Sequence, residues 1–552
     1  MYHNNRFDRA STIKFAIFMV GLVYFGLGFF PSAPIEGDSN GIANGAAMMA
    51  VHGIGPNDFS YRYHVQPGGY VLIAWLQNAT GLSTLGAFSL LSAISALLFI
   101  GASAALVGQL TGASWATSGI VLLLFQETST GGYYANTTVI AAALLMVGLY
   151  CSMVPNRAYM ALVAGVILGL SAWVRFDAVL AMPALPLLMR RSSWKNALRH
   201  SAWVVAVAAL VATVAIYGSG SSFAAILGMA SGHLDQPSRG TPDLGIPLIG
   251  GNDVKSHLSV FSALSLFMLT VGFVRLLSAR KWYLLGICLL GVLPFYAIYL
   301  GRIDSPKYLY YLLPFFSIMI ASGLTTLRQL PTWKQQSYLA VGVALFVVQY
   351  ILGVQASFVT KPYIPPPFPT LATLLTLDRP IAALQELSFV VGAGTQISTN
   401  DGDRLSSGIL FNPIAWNYNK RGRVADLAAL AQHTEAAGHP LYIVTDQYEG
   451  RQLSLNFLLS EGYHCALQRD SDAQRFECVN GARIARLVAI TPNASRSLER
   501  LASHIDAQDV SRLLFIAPAP WQQELLQQYL ADSNSWAGNK ISTFAYDLQS
   551  RP

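Results

Sequence analysis

The stretch Phe15-Ala16-Ile17-Phe18-Met19-Val20-Gly21-Leu22-Val23-Tyr24-Phe25-Gly26-Leu27-Gly28-Phe29-Phe30, with Pro34-Ile35-Glu36-Gly37-Asp38-Ser39-Asn40 just beyond it, decides how this chain is read. The first part carries no charge and reaches across a bilayer as a helix. The second sets two carboxylates, two residues apart, at the mouth of that helix. Charge at a membrane edge is costly, so such acids are functional candidates by default. Pro34 follows any small-residue cleavage site at once, so the segment reads as a retained first helix.

Working outward, the chain has 552 residues, 53% hydrophobic and only 11% charged, with a mean hydropathy of +0.43. Soluble domains carry about 25% charged residues, so most of the chain reads as an α-helical polytopic membrane protein. Apolar runs near 15–32, 70–108, 113–126, 135–154, 158–174, 176–189, 201–218, 257–278, 282–300, 308–327 and 336–354 predict about eleven spans. The run 70–108 is too long for one. Asn78-Ala79-Thr80-Gly81 divides it into a short outer helix and the true second span.

Residues 1–354 hold 19 Lys+Arg and 10 Asp+Glu, a net of +9; residues 355–552 hold 16 and 18, a net of −2, matching the overall +7. The basic charge thus belongs to membrane loops, which gives a nucleic-acid partner no support. With the N-terminus inside, the inner loops hold Arg6, Arg9, Lys14, Arg157, Arg190, Arg191, Lys195, Arg199, Arg275, Arg280, Lys281, Arg328 and Lys334, with Asp8 as their one acid. The outer loops hold nine acids and six bases. Lys and Arg orient short loops inward, and an odd span count places the C-terminal part outside.

Residues 360–370, Thr-Lys-Pro-Tyr-Ile-Pro-Pro-Pro-Phe-Pro-Thr, form a stiff polyproline connector. The expected division is a transmembrane domain over 1–358 with its first outer loop at 33–69, a Pro-rich linker over 359–370, and an extracytoplasmic α/β domain over 371–552. Within the last, 389–391, 441–445, 485–490 and 512–517 read as strands and 425–436 and 521–531 as helices. Cys151 and Cys288 fall in apolar spans and read as small buried hydrophobes. Cys465 and Cys478 flank Gln468–Glu477, readable as a hairpin, and a region outside the cytoplasm allows them to pair.

The chemistry gathers on the outer face. Glu36 and Asp38 can share one side of the chain, either to hold a divalent cation or for one to act as a general base. His64 and Arg62 lie in a polar-aromatic stretch ending Pro67-Gly68-Gly69-Tyr70, where Arg62 can meet a phosphate. Glu127 ends the third span on the same face. Arg175 and Asp177 form a tight outer turn and either bind substrate or pair with each other. Arg302 and Lys307 are outer bases, against the positive-inside trend, beside a helix expected to start near Lys307; Tyr308, Tyr310 and Tyr311 follow as an aromatic belt. Cations at a helix start make a phosphate site. A base for an acceptor hydroxyl and cations for a departing phosphate are the parts of a sugar transfer from a lipid phosphate.

In this layout the chain resembles the GT-C glycosyltransferases, the polytopic enzymes that use polyprenyl-phosphate sugars, and among them the protein mannosyltransferase and aminoarabinose transferase kind. Glu36-Gly37-Asp38 looks like the family's acidic motif in the first outer loop, followed by an amphipathic loop helix over Gly41–His52. Pro67-Gly68-Gly69-Tyr70 is similar to its proline before the second span, Gln126-Glu127 to its second outer acidic site, and Lys307-Tyr308-Leu309-Tyr310-Tyr311-Leu312-Leu313-Pro314 to its basic, tyrosine-rich opening of a late span. Asn40, Gly41 and Ile42 depart from it where the family often has a tyrosine.

The resemblance implies a catalytic base at Asp38, supported by Glu36 or by a metal the two would hold. It implies Arg302 and Lys307 as holders of the lipid phosphate and a single inverting displacement; with Glu127, Arg62, His64, Tyr70, Arg175, Asp177 and Tyr308 they make up the candidate substrate contacts. The implied partners are a polyprenyl-phosphate sugar donor, a glycan, lipid or protein acceptor, and the lipid bilayer of the inner (plasma) membrane. Two rival readings are a flippase for a lipid-linked saccharide and a non-enzymatic envelope-assembly scaffold. Transporters set their charges near mid-membrane and repeat their halves; here the charges lie at the outer edge and no repeat is visible.

Overall fold

The structure, a computed structural model, describes most of residues 37–125, 136–235, 263–299, 306–344, 395–398, 404–407, 441–490 and 510–550. The membrane part runs α1 (Gly37–His52), α2 (Pro67–Thr80), α3 (Thr84–Thr111), α4 (Trp115–Leu123), α5 (Thr137–Ser152), α6 (Ala158–Val174), α7 (Leu185–Leu188), α8 (Trp194–Gly218), α9 (Phe223–Asp235), α10 (Ala263–Ser278), α11 (Trp282–Tyr299) and α12 (Leu313–Leu327). Three 3-10 segments join it: Tyr63–Val65, Phe176–Ala184 and Pro306–Leu312. Among the described residues, Gly86–Thr111, Trp194–Gly218, Trp282–Tyr299 and Tyr308–Thr325 are long and apolar enough to cross a bilayer. Thr137–Ser152, Tyr159–Val174, Phe176–Leu188 and Ser265–Ser278 are shorter apolar helices. The first expected span, 15–32, and the linker, 359–370, lie outside the described residues.

The apolar run 70–108 breaks where expected. Gly81 takes a left-handed conformation (φ 69°) and its N–H closes α2 on the Gln77 carbonyl, the usual glycine C-terminal stop. Among the described residues of the run 113–126, Trp115–Leu123 is helical. Other expectations need correction. Residues 176–189 are not one α-helix but a 3-10 stretch with Pro183 inside it, followed by α7; the proline removes a donor from the helical ladder. The helix expected near Lys307 is likewise 3-10 until Leu313.

In the C-terminal part, β1 (Thr395–Ser398) and β2 (Arg404–Ser407) pair antiparallel. Then come β3 (Leu441–Asp446), α13 (Glu449–Ser460), β4 (His464–Arg469), β5 (Ala473–Asn480), β6 (Arg483–Ile490), β7 (Arg512–Ile516), α14 (Pro520–Asp532), β8 (Trp536–Lys540) and β9 (Ala545–Ser550). The seven-stranded sheet has the order β4-β5-β6-β3-β7-β9-β8; β3 is parallel to β6 and β7. Strand alternation builds two cores. Ile443, Leu487 and Leu514 join Leu455 and Leu458 of α13 on one face, and Val444, Val488 and Phe515 join Leu526 and Tyr529 of α14 on the other. The expected segments 389–391 and 425–436 lie outside the described residues.

Cys465 and Cys478 stand opposite each other in the β4–β5 register and are disulfide-bonded, with Cα atoms 3.9 Å apart. Closing a loop of about this size restricts the unfolded chain by about 3 kcal/mol. Cys465→Ala/Cys478→Ala should therefore lower the C-terminal sheet domain's unfolding free energy by about that much in denaturant titration. An unchanged midpoint would show that the bond adds nothing.

The two parts meet over α1. Ile42, Ala43, Ala46 and Met49 belong to the membrane core, while α13 packs on the same helix from the other part. Phe59 stacks at 5.7 Å on Phe476 of β5, and His52 meets His464 of β4 edge-on at 6.3 Å. α1 was expected as an amphipathic loop helix from Gly41. It begins at Gly37, and residues 41–49 are buried on all sides, because both parts cover it.

Candidate functional site

The Tyr63–Val65 turn is tied to the end of α8. The Tyr63 hydroxyl donates to the Ser219 carbonyl, His64 Nδ1 lies 3.0 Å from Ser221 Oγ, and Trp173 Nε1 donates to Ser219 Oγ at 3.2 Å. Burial pushes the Tyr63 phenol up to about 12, the Ser219 bond opposing it, so it stays a neutral donor at ordinary pH.

Pro67-Gly68-Gly69-Tyr70 then starts α2 in a crowded place. A Cβ on Gly68 would come within 2.6 Å of the Trp173 ring, and one on Gly69 within 2.3 Å of Thr137. The glycines let α2 approach the ends of α5 and α6 that closely. Tyr70 is wholly buried, 5.5 Å from the Tyr63 ring. Its ring packs between α2 and the Tyr63 turn.

At the same end, Asn136 caps α5 by accepting from the Val139 N–H at 2.9 Å. Thr137 donates to Gln66 Oε1 at 2.7 Å. Thr138 Oγ1 accepts from Arg175 Nη1 at 3.0 Å. Arg175, at the end of α6, holds Asp177 with two bonds, Nε to Oδ1 at 3.1 Å and Nη2 to Oδ2 at 2.7 Å. The Tyr311 hydroxyl donates to Asp177 Oδ1 at 3.0 Å. The Arg175 guanidinium carbon lies 5.6 Å from the Tyr308 ring centre, and Tyr308 stacks on Tyr299, which stacks on Phe295. The side chains of Arg175 and Asp177 are 14% and 6% exposed, so the ion pair is largely withdrawn from water and held by all its neighbours.

Of the predicted site residues, the structure thus gathers Arg175, Asp177 and Tyr308 into one cluster and places His64 in the adjoining 3-10 turn and Tyr70 in the first turn of α2. Asp38 falls in the first turn of α1, and Lys307 in the 3-10 turn beside Tyr308; both side chains lie outside the described atoms. Glu36, Arg62, Glu127 and Arg302 lie outside the described residues. Among the described residues no three His, Cys, Asp or Glu side chains come together as a metal site. Sequence reasoning missed Gln66, Thr137 and Thr138. The cap at Asn136 was their signal, since the residues after a cap start a helix at that surface.

The chain thus folds as a bundle of membrane helices with a polar cluster at one end and an α/β domain seated on the shared helix α1. The chain is similar to ArnT from Cupriavidus metallidurans bound to undecaprenyl phosphate, with a TM-score of 0.61 at 13% identity, covering 98% of both chains. It is also similar to the same protein in the apo state, with a TM-score of 0.58 at 14% identity over the same shares. No family model and no curated protein matches the sequence.

Proposed function

We propose that the chain is an inverting glycosyltransferase that moves a sugar from a polyprenyl-phosphate donor to an acceptor on the extracytoplasmic face of the inner membrane. The observation that carries this reading is the fold likeness over 98% of both chains to a protein bound to undecaprenyl phosphate. Asp38 takes the proton of the acceptor hydroxyl as its oxygen attacks the anomeric carbon. The glycosidic bond to the phosphate breaks on the opposite side, and the polyprenyl phosphate leaves. Arg302 and Lys307 take up the charge on its oxygens. Glu36 supports the base, and Glu127, Arg62 and His64 border the substrates. Arg175 and Asp177, spent on each other, position Tyr308 beside Lys307. The C-terminal domain lies outside the cytoplasm, in keeping with its Cys465–Cys478 bond.

The test is to incubate the purified full-length protein with a panel of lipid-linked sugars and score free polyprenyl phosphate. Release that depends on an added acceptor is expected. A flippase would move the donor and release none, which would end this reading.

A further inference from the structure

We propose that the end of the bundle opposite the Arg175 cluster is a docking surface for the phosphate head groups of anionic phospholipids. This does not rest on the transferase reading. Three turns meet at that end. From Asp177 the chain runs back across the bundle to Leu188, so Arg190 and Trp194 lie at the far side. The Tyr283 hydroxyl donates to the Leu187 carbonyl at 2.7 Å, which brings the start of α11 there. Tyr311 fixes the end of the Pro306–Leu312 turn beside Asp177, so α12, which follows from Leu313, finishes at the opposite end. Gly323 there touches α10: a Cβ on it would lie 2.7 Å from the Gly272 Cα.

Each turn leads into an exposed tryptophan with a base beside it. The Arg190 guanidinium lies 4.4 Å over the Trp194 ring, with Lys195 next in sequence. Lys281 precedes Trp282, and the Lys334 ammonium lies 5.2 Å from the Trp333 ring. The three indoles are 44%, 61% and 64% exposed. Residues 189–200, 275–283 and 327–338 contain no Asp or Glu, so no carboxylate of these turns neutralises the bases. Indoles settle at the head-group level of a bilayer, and the ring-anchored cations are held at phosphate depth.

Arg280 makes the point locally. α10 ends with the Lys281 N–H on the Leu276 carbonyl at 2.9 Å and the Arg280 N–H on the Leu277 carbonyl at 3.0 Å. In that pattern the residue at Arg280 is left-handed, and glycine is the ordinary occupant. Here an arginine stands there at φ 50°. A side chain is kept where the backbone disfavours one, and what it adds at this surface is a cation.

The experiment reconstitutes the full-length protein in phosphatidylcholine nanodiscs doped with brominated phosphatidylglycerol or, separately, brominated phosphatidylcholine, and reads tryptophan quenching. The anionic lipid is expected to be enriched about tenfold at the protein, and each base lost should cut this about twofold. R280G suits the turn and removes one cation, so it should lower the enrichment with the fold intact. K281Q/K334Q should lower it further; if that variant fails to insert, R280G decides alone. Equal quenching by the two lipids, or unchanged enrichment in R280G, overturns the proposal. Displacement by inorganic phosphate overturns it as well, because a lipid surface would survive that competitor.

Discussion

Asp38→Asn is expected to slow sugar transfer by about 10²- to 10⁴-fold, the range a general base contributes. Asparagine keeps the shape and one carbonyl acceptor but cannot take the acceptor's proton. The backbone at Asp38 is well placed for such work. It is in the first turn of α1, whose later turns are buried under both parts of the molecule, and a carboxylate near a helix N-terminus is favoured in its charged form. The loss should therefore fall on kcat, with donor KM and thermal unfolding close to the parent's. Glu36→Gln should cost less, since its role is support. Transfer at the parental rate in Asp38→Asn would remove Asp38 from the chemistry and leave Glu36 or Glu127 as the base to test.

How much of this was readable beforehand depended on how local the deciding physics was. The stop at Gly81 was legible because one glycine after an apolar run sets a helix end by itself. Strands β3, β6 and β7 were legible because strands covered by helices on both faces read as near-continuous apolar runs. β8 was not: four of its five residues are exposed at the sheet edge, so no apolar signal marks it. α13 contains Gly450, Ser454 and Asn456, poor helix formers, and forms because Leu455 and Leu458 are buried against the sheet. The two long 3-10 stretches were read as α-helix because composition reports burial and not the tightness of the turn. Arg175 and Asp177 were readable as a pair because they are two apart. Thr138 and Tyr311 lie 37 and 134 residues from their partners, and only the packed bundle brings them in. The packing role of Pro67-Gly68-Gly69-Tyr70 was hidden for the same reason: Trp173 and Thr137, which crowd Gly68 and Gly69, are distant in sequence.

Arg175→Leu is the variant expected to cost the most stability. It leaves the Asp177 carboxylate, only 6% exposed, with the hydrogen bond from Tyr311 but without its Arg175 counter-charge. Removing one member of a buried pair costs about 3–5 kcal/mol, much of it the penalty of the charge left behind. Arg175→Leu/Asp177→Leu removes that penalty too, so the double variant should unfold closer to the parent than the single, and the coupling between the two changes should be large. Activity separates the two roles the pair can have. If the pair sets Tyr308 beside the donor phosphate, the double variant recovers thermal stability yet keeps a raised KM for the lipid-linked sugar, because the guanidinium no longer faces the Tyr308 ring. If it is only a clasp between α6 and the turn before α12, stability and KM recover together. A single variant as stable as the parent would show that water or another base reaches Asp177, and the cluster would then lose its place in the argument for a pre-formed donor corner.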